Sequence, residues 1–385
     1  MLSSFKFRLY PSEPQARIME EILETCRRLY YSMLADRIEN RIGFYDQTKM
    51  LVELKRNDKH LRSVHSQVLQ DVVLRLDKAY QAFFVGLSRY PRFRRSGRYK
   101  SFTYPQSGFN LDGDRIRLST IGNVRVRLHR KVIGAIKRVT VIRDIDQWFV
   151  ALLAEEAPIG VQSEDGEVGV DMGISNLVAL SDGTLVNNSR FLKGSGERIK
   201  SLQRRLTHKE KGSKNREKAK LSLAKAWRKV RRQRDDFAHK LSDQLTKENK
   251  VIVFEDLRIG NMVKNHNLAS AIMDSAWGRL RQLTAYKAER RGGRVILVDP
   301  SGSSQKCSGC GEVVPKELSE RVHDCQRCGL VMDRDVNAAR NILKLGQELA
   351  RVEERPLLVR RRRISKFVPV KQQVHGMKTT GFSSG

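Results

Sequence analysis

Acidic side chains are scarce in this chain relative to basic ones: 43 Asp and Glu stand against 74 Lys and Arg, a formal charge of +31 at pH 7 over 385 residues. An excess of one sign on that scale makes a polyanion the expected partner, and nucleic acid is the first candidate. Long apolar runs are also missing. None approaches the roughly 20 residues that cross a bilayer, and the opening MLSSFKFRLYPSE lacks the apolar stretch of a secretory signal. A soluble, cytoplasmic protein with no membrane partner is expected. With 39% hydrophobic residues the chain can still build two or three cores, which excludes a disordered basic tail. Cysteine is sparse too. Four of the five form two CxxC pairs, which in a reducing compartment points to a metal rather than disulfides. The fifth, Cys26, shares an apolar stripe with Ile18, Ile22, Leu29 and Met33 and reads as a core thiol.

Read from the start, FKFRLYP alternates like a strand, and Ser12 with Gln15 opens a long helix to about Arg41 through a capping box. A second helix carries Val68, Val72, Leu76, Ala79, Phe83 and Leu87 at helical spacing. In YPRFRRSGRYKSFTYPQ, residues 90 to 106, cations interleave with Tyr90, Phe93, Tyr99, Phe102 and Tyr104. Such a segment can hold phosphates and stack bases, so Arg92, Arg94, Arg95, Tyr99 and Lys100 are the candidate nucleic-acid contacts. The plainer alternative is a strand whose rings pack in a core while its cations are solvated. From Phe109 to Glu156 the pattern turns to period two, which predicts antiparallel β, a small barrel closed by the first strand. The expected N-terminal domain is therefore residues 1–160, a β-barrel with a helical insertion over about 12–90. APIGVQSEDG, residues 157–166, has the composition of a linker.

The second half opens with an apolar strand ending on Asp171 and a hairpin turned at Asp182-Gly183. A charged helical hairpin over about 196–247 follows, and KVIVFEDL is a buried strand ending at Glu255. A helix over about 273–291, the strand RVILVD, the cysteine module and the helix DVNAARNILKLG complete it. The tail over 347–385 contains the run Arg360 to Arg363 and reads as basic and mobile. Arginines along one face of the charged hairpin could lie on a duplex.

Two constellations carry chemistry. Cys307 and Cys310, then Cys325 and Cys328, each pair followed by a glycine (Gly311 and Gly329), have the spacing of two knuckles around one tetrahedral Zn2+. Four thiolates leave no position for water, so the zinc is structural. His323 is surplus to such a site. Asp171, Glu255 and Asp335 stand at strand ends or a helix start, where carboxylates can converge beyond a sheet edge. Converging acids hold two Mg2+ ions about 4 Å apart for phosphodiester hydrolysis. Asp256, Asp299, Asp324 and Asp333 are expected only to support or cap.

GVDMGISNLVALSDG, VIVFEDL, WGRLRQLTAYKAERRGGRVILVDPSGSSQKCSGCG and DRDVNAARNIL resemble successive motifs of the TnpB/OrfB proteins, transposon-encoded relatives of type V CRISPR effectors. FKFRLYPSEPQ and the 90–106 block are similar to the family's N-terminal segments, so the resemblance covers nearly the whole chain. It implies a multidomain α+β and α/β protein: the N-terminal barrel with its helical insertion, then an RNase H-like (RuvC) nuclease domain over 161–346, with the charged hairpin (about 196–247) and an inserted zinc ribbon (about 303–331). It implies an RNA-guided, metal-dependent endonuclease that takes a guide RNA from the transposon end and cuts double-stranded DNA beside a short transposon-adjacent motif, with no oligomer required. Asp171, Glu255 and Asp335 would be the three catalytic carboxylates. Many relatives have Y-T-S-Q before the first CxxC, where this chain has Gly302-Ser303-Ser304-Gln305. Two other readings compete. A nuclease-inactive RNA-guided repressor fits the charge equally well, but relatives of that kind lack one of the acids. A strand-transferring transposase orders its acids Asp, Asp, Glu, whereas this chain runs Asp, Glu, Asp.

Overall fold

The computed structural model describes residues 2–156, 166–317 and 320–354. The chain forms two compact units. One comprises residues 1–166, 188–251 and 259–295; the other comprises 167–187, 252–258 and 296–385.

In the first unit the elements begin with β1 (Leu2–Tyr10), α1 (Glu13–Glu39), α2 (Phe44–Asn57), α3 (Lys59–Arg62) and α4 (Ser66–Phe84). Strands β2 (Ser101–Tyr104), β3 (Phe109–Asp112), β4 (Arg115–Leu118), β5 (Gly122–Arg127), β6 (Ile136–Asp144) and β7 (Gln147–Glu155) follow. They make one seven-stranded sheet in the order β2-β6-β7-β1-β5-β4-β3, and every pair in it is antiparallel. Strand alternation sets its buried face: Phe5, Phe7 and Leu9 of β1 point inward with Val124, Val126, Val139, Val141, Val150 and Leu152. Among the described residues no ladder joins the edge strands β2 and β3.

Helix α1 starts as the sequence predicts. Gln15 donates its amide N–H to Ser12 Oγ (3.4 Å) while Ser12 N–H donates to Gln15 Oε1 (3.0 Å). Its stripe from Met19 to Met33 is buried, Cys26 fully so, and burial pushes that thiol up to about 12. The expected second helix arrives only after α2 and α3. These escaped prediction because α2 buries just Gln47 and Leu51 of its 14 residues, too thin a stripe to read. The stripe of α4 also ends early, leaving Leu87 exposed beyond the helix.

The chain continues through β8 (Glu167–Met172), β9 (Asn176–Leu180), β10 (Leu185–Asn187), α5 (Phe191–Thr207), α6 (Lys214–Glu248) and β11 (Val251–Glu255). After these come α7 (Ile259–Met262), α8 (His266–Ser275), α9 (Trp277–Arg290), β12 (Arg294–Val298), β13 (Val322–Asp324), β14 (Val331–Asp333) and α10 (Arg334–Glu354). The expected grouping of the charged hairpin with residues 161–346 is corrected here: α5 and α6 belong to the first unit. Ion pairing is the reason. Arg228 donates to Asp146 Oδ1 (2.5 Å) and the Asp144 carbonyl (3.0 Å), and Arg231 to Asp144 (2.8 Å). Although burial opposes it, Lys225 and Arg228 hold the Asp146 carboxyl down to about 2. Several α6 arginines are thus engaged with the β6–β7 turn. The helix expected over 273–291 is broken at Ala276, whose φ of 52° lies in the left-handed region.

In the second unit a five-stranded sheet runs β10-β9-β8-β11-β12, and α10 packs on β8 and β9. Gly346, expected to end the last helix, lies inside it. A Cβ there would stand 2.4 Å from Val253 Cγ2, so this glycine serves close packing against β11 rather than termination. The tail expected from residue 347 therefore begins as helix through Glu354. The linker over 157–165 and the run Arg360 to Arg363 lie outside the described residues. No helix among them is long and apolar enough to cross a membrane.

Gly169 of β8 is the tighter contact, since a Cβ on it would meet the Ala339 carbonyl oxygen of α10 at 2.1 Å. Backbone cannot yield as a side chain can. Gly169→Ala is expected to cost about 1–3 kcal/mol, read as a lower denaturant midpoint; an unchanged midpoint would show that α10 does not rest on β8 in this way.

Candidate active site and metal centre

Strand β8 opens on the exposed Glu167 and is buried at Val168, Gly169 and Val170 before its fifth residue, Asp171, which pairs with Ala179 of β9 and is only partly buried. Strand β11 is buried at every position and ends on Glu255, 7% exposed. Asp335 is the second residue of α10. Asp333 accepts from the N–H groups of Asp335 (2.8 Å) and Val336 (3.3 Å), capping the helix and placing Asp335 in its first turn, where the helix dipole favours an anion. A Cβ built on Gly173, just past β8, would lie 4.0 Å from Asp335 Oδ2, so the end of β8 and the start of α10 meet here. Each acid sits where the sequence puts it. Asp299 makes a turn instead, accepting from Ser301 N–H at 2.8 Å.

Asp171 feels the charge of the other two acids. Burial first, and then the charges of Glu255 and Asp335, raise Asp171 to about 8 against the weaker pull of Arg334. Burial also raises Glu255, opposed by a 2.6 Å hydrogen bond donated by Ser303 Oγ to its Oε1. Carboxylates held together this way need either a proton or a cation to relieve their repulsion, and divalent cations fit the donor set. They are more widely spaced than ligands of a single compact ion: among the described residues only the four cysteines place all their ligand atoms within 4.8 Å of one another.

Those cysteines sit on two matching turns between β12 and α10. Cys307 N–H donates to the Glu312 carbonyl (2.8 Å) and Gly311 N–H to that of Cys307 (2.9 Å). Cys325 N–H likewise donates to Leu330 (3.0 Å), and Gly329 N–H to Cys325 (2.8 Å). Gly311 and Gly329 have φ of 80° and 70°, the left-handed turn their position after each pair implies. Sulfurs 2.3 Å from one tetrahedral ion stand about 3.8 Å apart, and the Cys307–Cys328 and Cys310–Cys325 sulfurs are each separated by 3.6 Å. Electrostatics agree. Burial opposes ionisation of Cys307, but the backbone N–H of Cys310, the His323 ring and the N–H of Gly309 bring it down to about 6. The Leu330 N–H lowers Cys328, yet the other three thiols help raise this exposed thiol to about 12. Four thiolates cannot coexist unaided, and a divalent ion such as zinc could supply the missing charge. His323 is fully buried beside this cluster, with Lys316 Nζ against its Nδ1, and is not a member of it.

Of the basic candidates, Arg92, Arg95 and Lys100 are exposed. Arg94 is also exposed, but its guanidinium lies over Tyr30 (5.1 Å) and Tyr99 (5.6 Å). Tyr99 is corrected. Only 5% exposed and packed against Tyr30 at 6.3 Å, it is a core ring and has no face to offer a base. Phe102 and Tyr104 are buried as well, which is the plainer reading of this segment.

Ser303, Asn337 and Asn341 were missed as site residues. Asn341 Nδ2 donates to the carbonyls of Ser303 (2.8 Å) and Lys306 (2.7 Å), and Asn337 bonds the Lys306 carbonyl (2.8 Å) and Ser308 N–H (2.8 Å). Their four-residue spacing on α10 and the hydroxyl at 303 were the available signals.

Known proteins resemble this chain along most of its length. A sequence profile described as "Probable transposase" matches residues 154–266, a "Cas12f1-like, TNB domain" profile 277–342, and a "Helix-turn-helix domain" profile 1–41, a stretch that here holds β1 and one continuous helix. The chain is 35% identical to a "Putative RNA-guided DNA endonuclease" of Streptomyces pristinaespiralis, over 89% of both chains. It is 33% identical to "Putative RNA-guided DNA endonuclease InsQ" of Escherichia coli K12, over 90% of this chain and 92% of that one. Its fold is similar to that of Cas12f1 solved by cryo-electron microscopy in a complex with single-guide RNA and target DNA: TM-score 0.57, 11% identity, 89% of this chain and 98% of the other. With about a third of its residues identical to these relatives over about nine-tenths of its length, the chain belongs to the TnpB/OrfB family.

Proposed function

We propose that this protein is an RNA-guided, divalent-metal-dependent DNA endonuclease that cuts double-stranded DNA beside a short transposon-adjacent motif, guided by RNA from the transposon end. The observation that carries the reading is the convergence of Asp171, Glu255 and Asp335, with Asp171 raised to about 8 by burial and its two acidic neighbours. The named activities of the two end-to-end relatives point the same way. We read the seven-stranded sheet as the family's barrel, the five-stranded sheet with α10 as its RuvC-like nuclease core, and the cysteine turns as a zinc ribbon inserted before the last helix.

Two Mg2+ ions, when bound, would supply a water acidified for attack and offset charge on the leaving oxygen. Asp171, which feels the charge of both other acids, would hold these ions together with Glu255 and Asp335. The first turn of α10 adds a partial positive charge on the side of Asp335. Arg92, Arg95 and Lys100 would hold phosphates, while base pairing with the guide reads sequence. One Zn2+ on Cys307, Cys310, Cys325 and Cys328 would be structural. The repressor reading is less supported because all three acids are present and converge; the order Asp, Glu, Asp disfavours strand transfer.

The deciding experiment is sequencing of RNA copurified with the protein from its native locus, followed by cleavage of a randomised-flank DNA library by that complex in Mg2+. A defined RNA and cuts beside one flanking motif are expected; binding without cuts would make the protein a repressor. In the same assay Asp171→Asn is expected to lower cleavage by roughly 10² or more, the scale of losing one group that stabilises the transition state. The proton on Asp171 must leave before a cation binds, so the Mg2+ concentration for half-maximal cleavage should fall as pH rises from about 6 toward 8 and level off above. Stability runs the other way. Because Asp171 is raised in the folded state, the metal-free protein should lose melting temperature as pH rises through the same window and regain it with Mg2+. A pH-independent half-saturation would remove Asp171 from the metal site. Cys325→Ser should reduce bound zinc from one per chain toward none and lower the melting temperature; full zinc retention would overturn the four-thiolate site.

A further inference from the structure

Glu255 is the last residue of β11, where the buried strand opens onto the other acids. Its Oε1 accepts a 2.6 Å hydrogen bond from Ser303 Oγ. That hydroxyl is buried, 5% exposed, and has a second acceptor in reach, the Pro300 carbonyl at 3.3 Å. A hydroxyl has one proton to give, and the shorter, charge-assisted bond takes it.

Ser303 is itself held from α10. Asn341 donates to its carbonyl at 2.8 Å and to that of Lys306 at 2.7 Å, Asn337 grips Lys306 and Ser308, and Lys344 Nζ reaches the Ser308 carbonyl. Asn337, Asn341 and Lys344 lie at i, i+4 and i+7, one face of the helix that carries Asp335 two residues before Asn337. Both asparagines are buried, and Asn341 spans the turn between Ser303 and the first cysteine knuckle. The helix that supplies one acid therefore also fixes the loop whose hydroxyl orients another.

We infer that Ser303 is a positioning residue for Glu255, clamped by Asn341 of α10, and that it sets the affinity of the carboxylate site for its divalent cation. This rests on the endonuclease reading above. A hydroxyl is the requirement, so threonine meets it and alanine does not.

The test uses the full ribonucleoprotein with wild type, Ser303→Ala and Ser303→Thr, and reads three quantities: Mn2+ affinity by electron paramagnetic resonance of the free ion, without turnover; the Mg2+ concentration for half-maximal cleavage; and zinc per chain. Ser303→Ala is expected to weaken Mn2+ binding and raise the Mg2+ half-saturation by about tenfold, the scale of a hydrogen bond to a charged group. Cleavage at saturating Mg2+ should recover much of its rate, zinc should stay at one per chain, and Ser303→Thr should restore wild-type values. Wild-type metal affinity in Ser303→Ala overturns the inference, as does failure of Ser303→Thr to restore it. Loss of zinc together with Mn2+ affinity overturns it too, by reducing Ser303 to support of the cysteine turn. Absence of Mn2+ binding and cleavage in the wild type is a different result and counts against the endonuclease reading itself.

Discussion

Gly169 of β8 and Gly346 of α10 let the last helix lie closer to the five-stranded sheet than any residue with a Cβ would permit. That approach is the constraint on which the second unit depends. It buries Val168, Val170, Ala339 and Ile342, and it brings the capped start of α10 to the end of β8. Held at this depth, the helix puts Asp335 within electrostatic reach of Asp171. The same helix then grips the loop from Ser303 to Ser308 through two buried asparagines, so sheet, loop and cysteine turns share one support.

Like charges are concentrated twice on that support, and each time the folded chain cannot relieve them by itself. Asp171 is driven to about 8 by burial and by two other acids; Cys328, although exposed, stands at about 12 beside three other thiols that raise it. The difference lies in spacing and donor. Four soft sulfurs within 4.8 Å of one another could close around one ion. Three hard carboxylates, more widely spread, have the donor chemistry of a site for oxygen-preferring cations.

In the first unit the net charge of the chain reads differently once packed. Arg228 and Arg231 of α6 are spent on Asp144 and Asp146, and Arg94 on the faces of Tyr30 and Tyr99. Cations and rings interleaved in sequence are thus partly structural. What remains outward between residues 92 and 100 is the charge of Arg92, Arg95 and Lys100 together with one exposed ring, Phe93, while Tyr99 is withdrawn into the core.

Local chemistry was legible from the residues alone. The capping box at Ser12, the period-two strands, the CxxC-glycine knuckles and the placement of Asp171, Glu255 and Asp335 at element ends all depend on neighbours within a few positions, which a sequence displays directly. Tertiary structure decided what depends on distant partners. Whether Tyr99 faces a base or a core is a matter of α1 and its Tyr30, some seventy positions away. Gly346 read as a helix end until Val253 showed why no Cβ fits there. The charged hairpin joined the first unit because its cations found the β6–β7 turn, and Ser303 acquired a role because Glu255 lies 48 residues earlier in the chain but 2.6 Å away in space.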